Sequence, residues 1–119
     1  MYKIILAFLL VIFSNICLAE IDKNAKAEIK ELFNNLEKCN CKFQRNGSWY
    51  SNQEAISHLN KKYDYLVKKS ILTNAESFIN YAAAKSSLSG KKYLVQCDNT
   101  KIITSKDWFL QQLKIIRKS

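Results

Sequence analysis

Apolar residues recur at three- and four-residue spacing in four stretches of the chain and alternate with polar ones in two. Ile29, Leu32, Phe33 and Leu36 form the first stripe, which predicts a helix over residues 24–38 with lysines and glutamates on the outer face. Ala55, Ile56, Leu59, Tyr63, Leu66 and Val67 form the second, running to about Lys69. Ser51-Asn52-Gln53-Glu54 opens that helix as a capping box, in which serine and glutamate exchange hydrogen bonds with each other's backbone. Thr73-Asn74-Ala75-Glu76 repeats the device before Ala75, Phe78, Ile79 and Ala82. Trp108, Phe109, Leu113 and Ile116 mark a last helix, capped by Thr104 or Ser105.

Two runs alternate instead. Cys41-Lys42-Phe43-Gln44-Arg45 ends on the turn dipeptide Asn46-Gly47, and residues 92–97 run from Lys92 to Cys97. Between the third helix and that second strand lies Lys85-Ser86-Ser87-Leu88-Ser89-Gly90, where Gly90 supplies the positive φ of a helix-ending turn. The expected fold is α+β and mostly helical: about four helices around a short two-stranded antiparallel sheet stapled by one disulfide.

Composition narrows this further. Proline is absent and glycine occurs twice, which excludes the turn-rich sandwiches and barrels. A hydrophobic content of 48% with 24% charged residues excludes a disordered chain. Lys3 followed by the apolar run Ile4 to Phe13 and by Cys17-Leu18-Ala19 reads as a secretory signal, residues 1–19, cleaved after Ala19. Residues 20–119 are then one small secreted domain, periplasmic, that meets the membrane only through the signal before cleavage. Loss of Lys3, the one charged residue of that segment, takes the formal charge from +9 to +8. Secretion argues against nucleic acid as a partner, so the basic surface points to an anionic envelope component or serves solubility alone.

Cleavage leaves Cys39, Cys41 and Cys97, an odd number in an oxidising compartment. Cys41 with Cys97 is the expected bridge, because each borders a strand-like run. Cys39 is left free, packed, or in competition for Cys97. The three thiols and His58 lack a paired C-x-x-C, so the spacing implies no metal.

Arg45-Asn46-Gly47-Ser48-Trp49-Tyr50, His58-Leu59 with Lys62-Tyr63, Ala75-Glu76-Ser77-Phe78-Ile79, Lys85 to Tyr93, Cys97, Trp108-Phe109 and Arg117 follow in that order. The series resembles a family of small secreted proteobacterial proteins known only as a domain of unknown function, over most of the chain from about Ile29 to Arg117. The resemblance implies a periplasmic home and cysteines at Cys41 and Cys97, with Cys39 outside the pattern. It implies no activity and no cofactor.

The residues offer three chemistries. Arg45-Asn46-Gly47 is a candidate fork for phosphate or carboxylate, with Trp49 and Tyr50 beside it for stacking. His58, the one histidine, is the only side chain placed to titrate near neutrality, on the helix flank that carries Lys62. Lys85, by helical phase, points toward the core beside Ser86, Ser87 and Ser89, as a serine–lysine pair requires. The bland alternatives are a hairpin turn with Trp49 packed and Arg45 on the open face, a border histidine, and a lysine at a helix C-terminus. No G-x-S-x-G or S-x-x-K elbow is present. If Cys41 pairs with Cys97, Arg45, Asn46, His58, Ser89 and Gly90 flank one surface. The expected function is therefore a non-catalytic binding or interaction module. The alternatives are a small serine hydrolase using Lys85 or His58, and an envelope structural or chaperone-like factor with an apolar patch at Trp49 or Trp108.

Overall fold

Four strands, not two, make the sheet. In the computed structural model, which describes residues 21–119, β1 (Cys41–Arg45), β2 (Ser48–Ser51), β3 (Leu94–Cys97) and β4 (Ile103–Thr104) lie in the order β2-β1-β3-β4, every pair antiparallel. The signal expected over residues 1–19 lies outside the described residues. Helices α1 (Lys23–Lys38), α2 (Asn52–Lys68) and α4 (Ser105–Lys118) follow the three long apolar stripes. The fourth, α3 (Ala75–Phe78), continues as a π-helical turn over Ile79–Ala83.

The two extra strands are short and poor in strand signal. β2 is Ser48-Trp49-Tyr50-Ser51, and its last residue is also the cap of α2, so the helix signal masks the strand. β4 is two residues long and exists only because β3 offers it a partner. The Asn46-Gly47 turn takes positive φ at both residues, +51° and +86°, the mirror-image geometry that matches strand twist.

Period two along β1 buries Cys41 and Phe43 and exposes Lys42. Register sets Cys41 opposite Cys97 and Phe43 opposite Val95, and the disulfide closes between the first pair. Phe43 meets the edge of Trp108, which meets Phe109 in turn, at 5.7 and 4.9 Å between centroids. Ile29, Leu32, Leu36, Phe78, Ile79 and Val95 complete an apolar core between sheet and helices. Trp108 is buried there, and Val67, expected to face inward, is exposed.

Polar side chains hold the helix ends. Glu54 and Ser51 form the expected capping box. The second box sits one residue later than its sequence suggests: Asn74 caps α3, and Ser77 takes the role expected of Glu76. Glu76 is instead held with Glu28 of α1 by Arg117 of α4, through four contacts of 2.7–3.0 Å. That shared guanidinium keeps the Glu76 carboxyl below its usual range. Asn52, the first residue of α2, turns its Nδ2 back onto the carbonyls of Leu36, Glu37 and Cys39 and so closes the end of α1. Among the described residues Cys39 is the free thiol; its Sγ donates to the Leu36 carbonyl at 3.1 Å, and burial pushes its pKa up.

Lys85 departs from its expected direction. The wider i→i+5 winding of the π-turn rotates each residue by less than the roughly 100° of an α-helix, so phase is lost over Ile79–Ala83. Ala82 and Ala83 take the inward places, and Lys85 emerges exposed, bridged through its backbone to Lys92.

Two stability predictions follow from these contacts. Asn52→Ala removes the amide donor that the Leu36, Glu37 and Cys39 carbonyls share and is expected to cost about 1–2 kcal/mol in urea unfolding, with the m-value unchanged. Replacing both Cys41 and Cys97 by serine releases a closed loop of 56 residues' separation and is expected to cost up to about 4 kcal/mol, read from the shift in melting temperature.

Candidate functional site

The inward face of β1 does not stop at Phe43. Alternation carries Arg45 to the same face, where the sheet ends and α2 crosses. The β1–β3 register, extended by one residue, sets Tyr93 across from Arg45. Tyr93 is buried and its backbone is fixed on both sides: its N–H donates to the Ala84 carbonyl, and its carbonyl accepts from Ser105. Above it, α2 presents His58 and Lys62, four residues apart and so on one helix face.

These four side chains touch. His58 Nε2 lies 3.0 Å from the Tyr93 hydroxyl, and Lys62 Nζ lies 3.2 Å from the same oxygen. Lys62 also donates to the Lys85 carbonyl at 3.2 Å and stands 5.0 Å from the centroid of the Tyr93 ring. Arg45 Nη1 is 3.5 Å from His58 Nδ1, while the guanidinium covers the Tyr50 ring at 5.0 Å. Arginine carries only donors, so the lone pair of His58 is assigned to Nδ1 and its proton to Nε2. Tyr93 then accepts from both His58 and Lys62, which leaves its own O–H to be given elsewhere.

Among the described residues no carboxylate forms an ion pair with this cluster. Among the described residues the ion pairs are those of Arg117 with Glu28 and Glu76. Glu54 borders the cavity of about 40 Å³ under His58 and Tyr93, but its Oε1 is engaged with the N–H and hydroxyl of Ser51. Titration in the group is displaced first by burial and then by the neighbouring cations. Burial, then Arg45, Lys62 and Lys61, lowers His58 to about 4, so the ring is neutral at pH 7. Burial, then Arg45, lowers Lys62 to about 8. Burial raises Tyr93, with Arg45 pulling the other way.

The 86–90 turn joins this site through its serines. Ser86 is buried; its Oγ accepts from Ser89 N–H, and its carbonyl accepts from Gly90 N–H. Ser89 Oγ accepts from Lys91 N–H and donates to Asn46 Oδ1 at 2.6 Å, tying this turn to the β1–β2 turn. Gly90 has φ +74°. Ser87 is exposed and, with His58, Lys61, Lys62, Tyr65 and Tyr81, borders an outward groove of about 290 Å³. Lys85 faces a different cleft, bordered by Lys92, Lys106 and Asp107. Among the described residues, neither Lys85 Nζ nor either nitrogen of His58 hydrogen-bonds a serine.

The fold thus brings Arg45 and His58 into contact and sets Asn46, Ser86, Ser89 and Gly90 beside them as a joint, while Lys85 and Ser87 open outward. Arg45 lies on the core face rather than the open one, and Trp49 is exposed rather than packed. Two residues of the cluster were missed. Lys62 was visible as the partner of His58 at four-residue spacing. Tyr93 carries no local signal, because its contact spans 35 residues.

A family model described as "Family of unknown function (DUF5329)" matches residues 23–117. The chain belongs to this family. It is also 32% identical over 94 residues to the uncharacterized protein YfeK of Salmonella typhimurium, covering 78% of this chain and 77% of that protein. No solved structure matches the chain. The membership agrees with the resemblance read from the Arg-Asn-Gly and serine–glycine runs, and the matched span takes in Arg45, His58, Lys62 and Tyr93. No helix among the described residues is long and apolar enough to cross a membrane.

The lowered pKa of His58 has a consequence for stability. Between about pH 6.5 and 4 the unfolded chain binds a proton at His58 that the folded chain refuses, so stability falls as pH drops through that window. Glu76, held below 4.5, loses its contribution only at lower pH, and Lys62 titrates near pH 8. The slope of unfolding free energy between pH 7 and 5 is therefore expected to flatten in His58→Gln, measured by urea titration at each pH.

Proposed function

We infer that this protein is a non-catalytic binding module of the cell envelope, and that Arg45, His58, Lys62 and Tyr93 hold an anionic group of its ligand, a phosphate or carboxylate. One observation carries the reading: a guanidinium, an ammonium and a free tyrosine O–H gather around a neutral imidazole, and no acid is ion-paired with either cation among the described residues. Two cations half out of water repel each other, and an anion between them relieves both the repulsion and the lost hydration. The guanidinium fork suits two oxygens at once, and Lys62 supplies a point charge. Tyr65 and Tyr81, both exposed along the outward groove, offer ring faces to the rest of a ligand.

A periplasmic setting rests on the sequence of residues 1–19, and in that compartment the abundant anions are lipid head groups and phosphorylated glycans. A serine hydrolase finds less support, because the two candidate bases contact tyrosine, arginine and backbone rather than a serine. A chaperone-like role loses Trp108, which is buried in the core.

Thermal-shift and calorimetric titration with inorganic phosphate and with phosphorylated sugars test the proposal. At a hundredfold excess over Kd, bound anion is expected to add about 2.7 kcal/mol to stability. Binding near pH 8 is expected to take up a proton, since an anion favours the charged form of Lys62. Arg45→Ala with Lys62→Ala removes both effects. Titrations flat in both readouts, or shifts identical in the double variant, sink the proposal.

A further inference from the structure

A further cavity lies between α1 and α2, on the face of α2 turned from His58 and Lys62. It is a groove of about 590 Å³, within the range of small-molecule sites. Its floor is apolar: Ile29 and Phe33 from α1, Ile56 and Tyr63 from α2. Its rim on the α1 side is basic. Lys23, Lys26 and Lys30 follow at three- and four-residue spacing and so share one helix face, and none makes an ion pair among the described residues. Glu37 lines the opposite end. The groove is therefore polarised along its length, cationic at the start of α1 and acidic at its end.

The start of α1 adds to this charge. Its first turn holds no acid, and Asp22 at the N-cap makes no side-chain capping hydrogen bond. The positive end of the helix dipole therefore falls beside Lys23 and Lys26, with Asp22 at the N-cap the one acid of this helix end among the described residues. The acid that α1 does carry near this end, Glu28, is held by Arg117 on another face.

We propose that this groove binds a single-chain anionic phospholipid, with its acyl chain along Ile29, Phe33, Ile56 and Tyr63 and its phosphate at Lys23, Lys26 and Lys30. The shape favours one chain over a membrane plane. A helix that lies on a bilayer projects its apolar face outward, whereas Ile29 is sunk between two helices and buried. The site is independent of the Arg45 cluster, and either can fail without the other.

The test is titration of the natural, disulfide-bonded chain with lysophosphatidylglycerol below its micellar concentration, followed by amide shifts in NMR and by native mass spectrometry. The expected result is saturable one-to-one binding, with shifts gathered on α1 and α2. Lys26→Glu with Lys30→Glu, both exposed, is expected to weaken binding at least about tenfold. Lys106→Glu with Lys114→Glu, the same charge change on α4, leaves it unaltered. Ile56→Glu blocks the floor and abolishes binding. Absence of binding overturns the proposal. Equal affinity for lysophosphatidylcholine, the same shifts with glycerol 3-phosphate alone, or binding only to phosphatidylglycerol vesicles overturns it as well.

Discussion

The pairing of β1 with β3 is the constraint on which the rest of the molecule rests. Cys41 and Cys97 face each other in the two central strands, at a sequence separation of 56 residues. The chain between β2 and β3 must leave the sheet and return in register. One residue of slip would turn Phe43 and Val95 out to water and break the ladder that also sets Arg45 against Tyr93. The covalent bond removes that freedom in a chain whose core is modest for its length. The outer strands then follow, β2 through its tight turn and β4 through β3.

The same constraint makes the candidate site. Alternation along β1 runs Cys41, Phe43, Arg45 on one face, and only the last reaches beyond the core. Tyr93 holds the equivalent place before β3, where it is buried and fixed by backbone bonds to both neighbours. A guanidinium brought to the margin of a core has lost part of its hydration, and here it meets the imidazole of His58 and the ring of Tyr50 instead of a carboxylate. That choice costs stability, as the lowered His58 and Lys62 record. A fold that only needed a soluble surface would have left these groups in water, as it does Lys61 and Lys68.

The helices meet this frame through polar contacts as much as through apolar ones. Asn52 begins α2 and closes α1; Arg117 binds α1 and α3 to the last turn of α4. Surface ion pairs of this kind each add at most about 1 kcal/mol, so the clamp orients the helices more than it stabilises them. Between α1 and α2 the packing leaves a groove whose basic rim comes from one helix face alone.

The four helices, the Asn46-Gly47 turn, the strand starting at Cys41, the positive φ of Gly90 and the partner of Cys41 were all legible in the sequence. Each rests on a local period, a cap or a turn residue, or on counting thiols. The second and fourth strands were not legible, because two to four residues carry too little pattern and take their form from a neighbour already in place. The direction of Lys85 depended on a π-turn that no spacing announces and that buries Ala82 and Ala83 in place of Lys85. Arg45 and His58 could be named as candidates from their types alone. That they meet, and that Tyr93 and Lys62 complete them, was decided by the tertiary structure, because the contacts join strand, helix and turn across 13 to 35 residues.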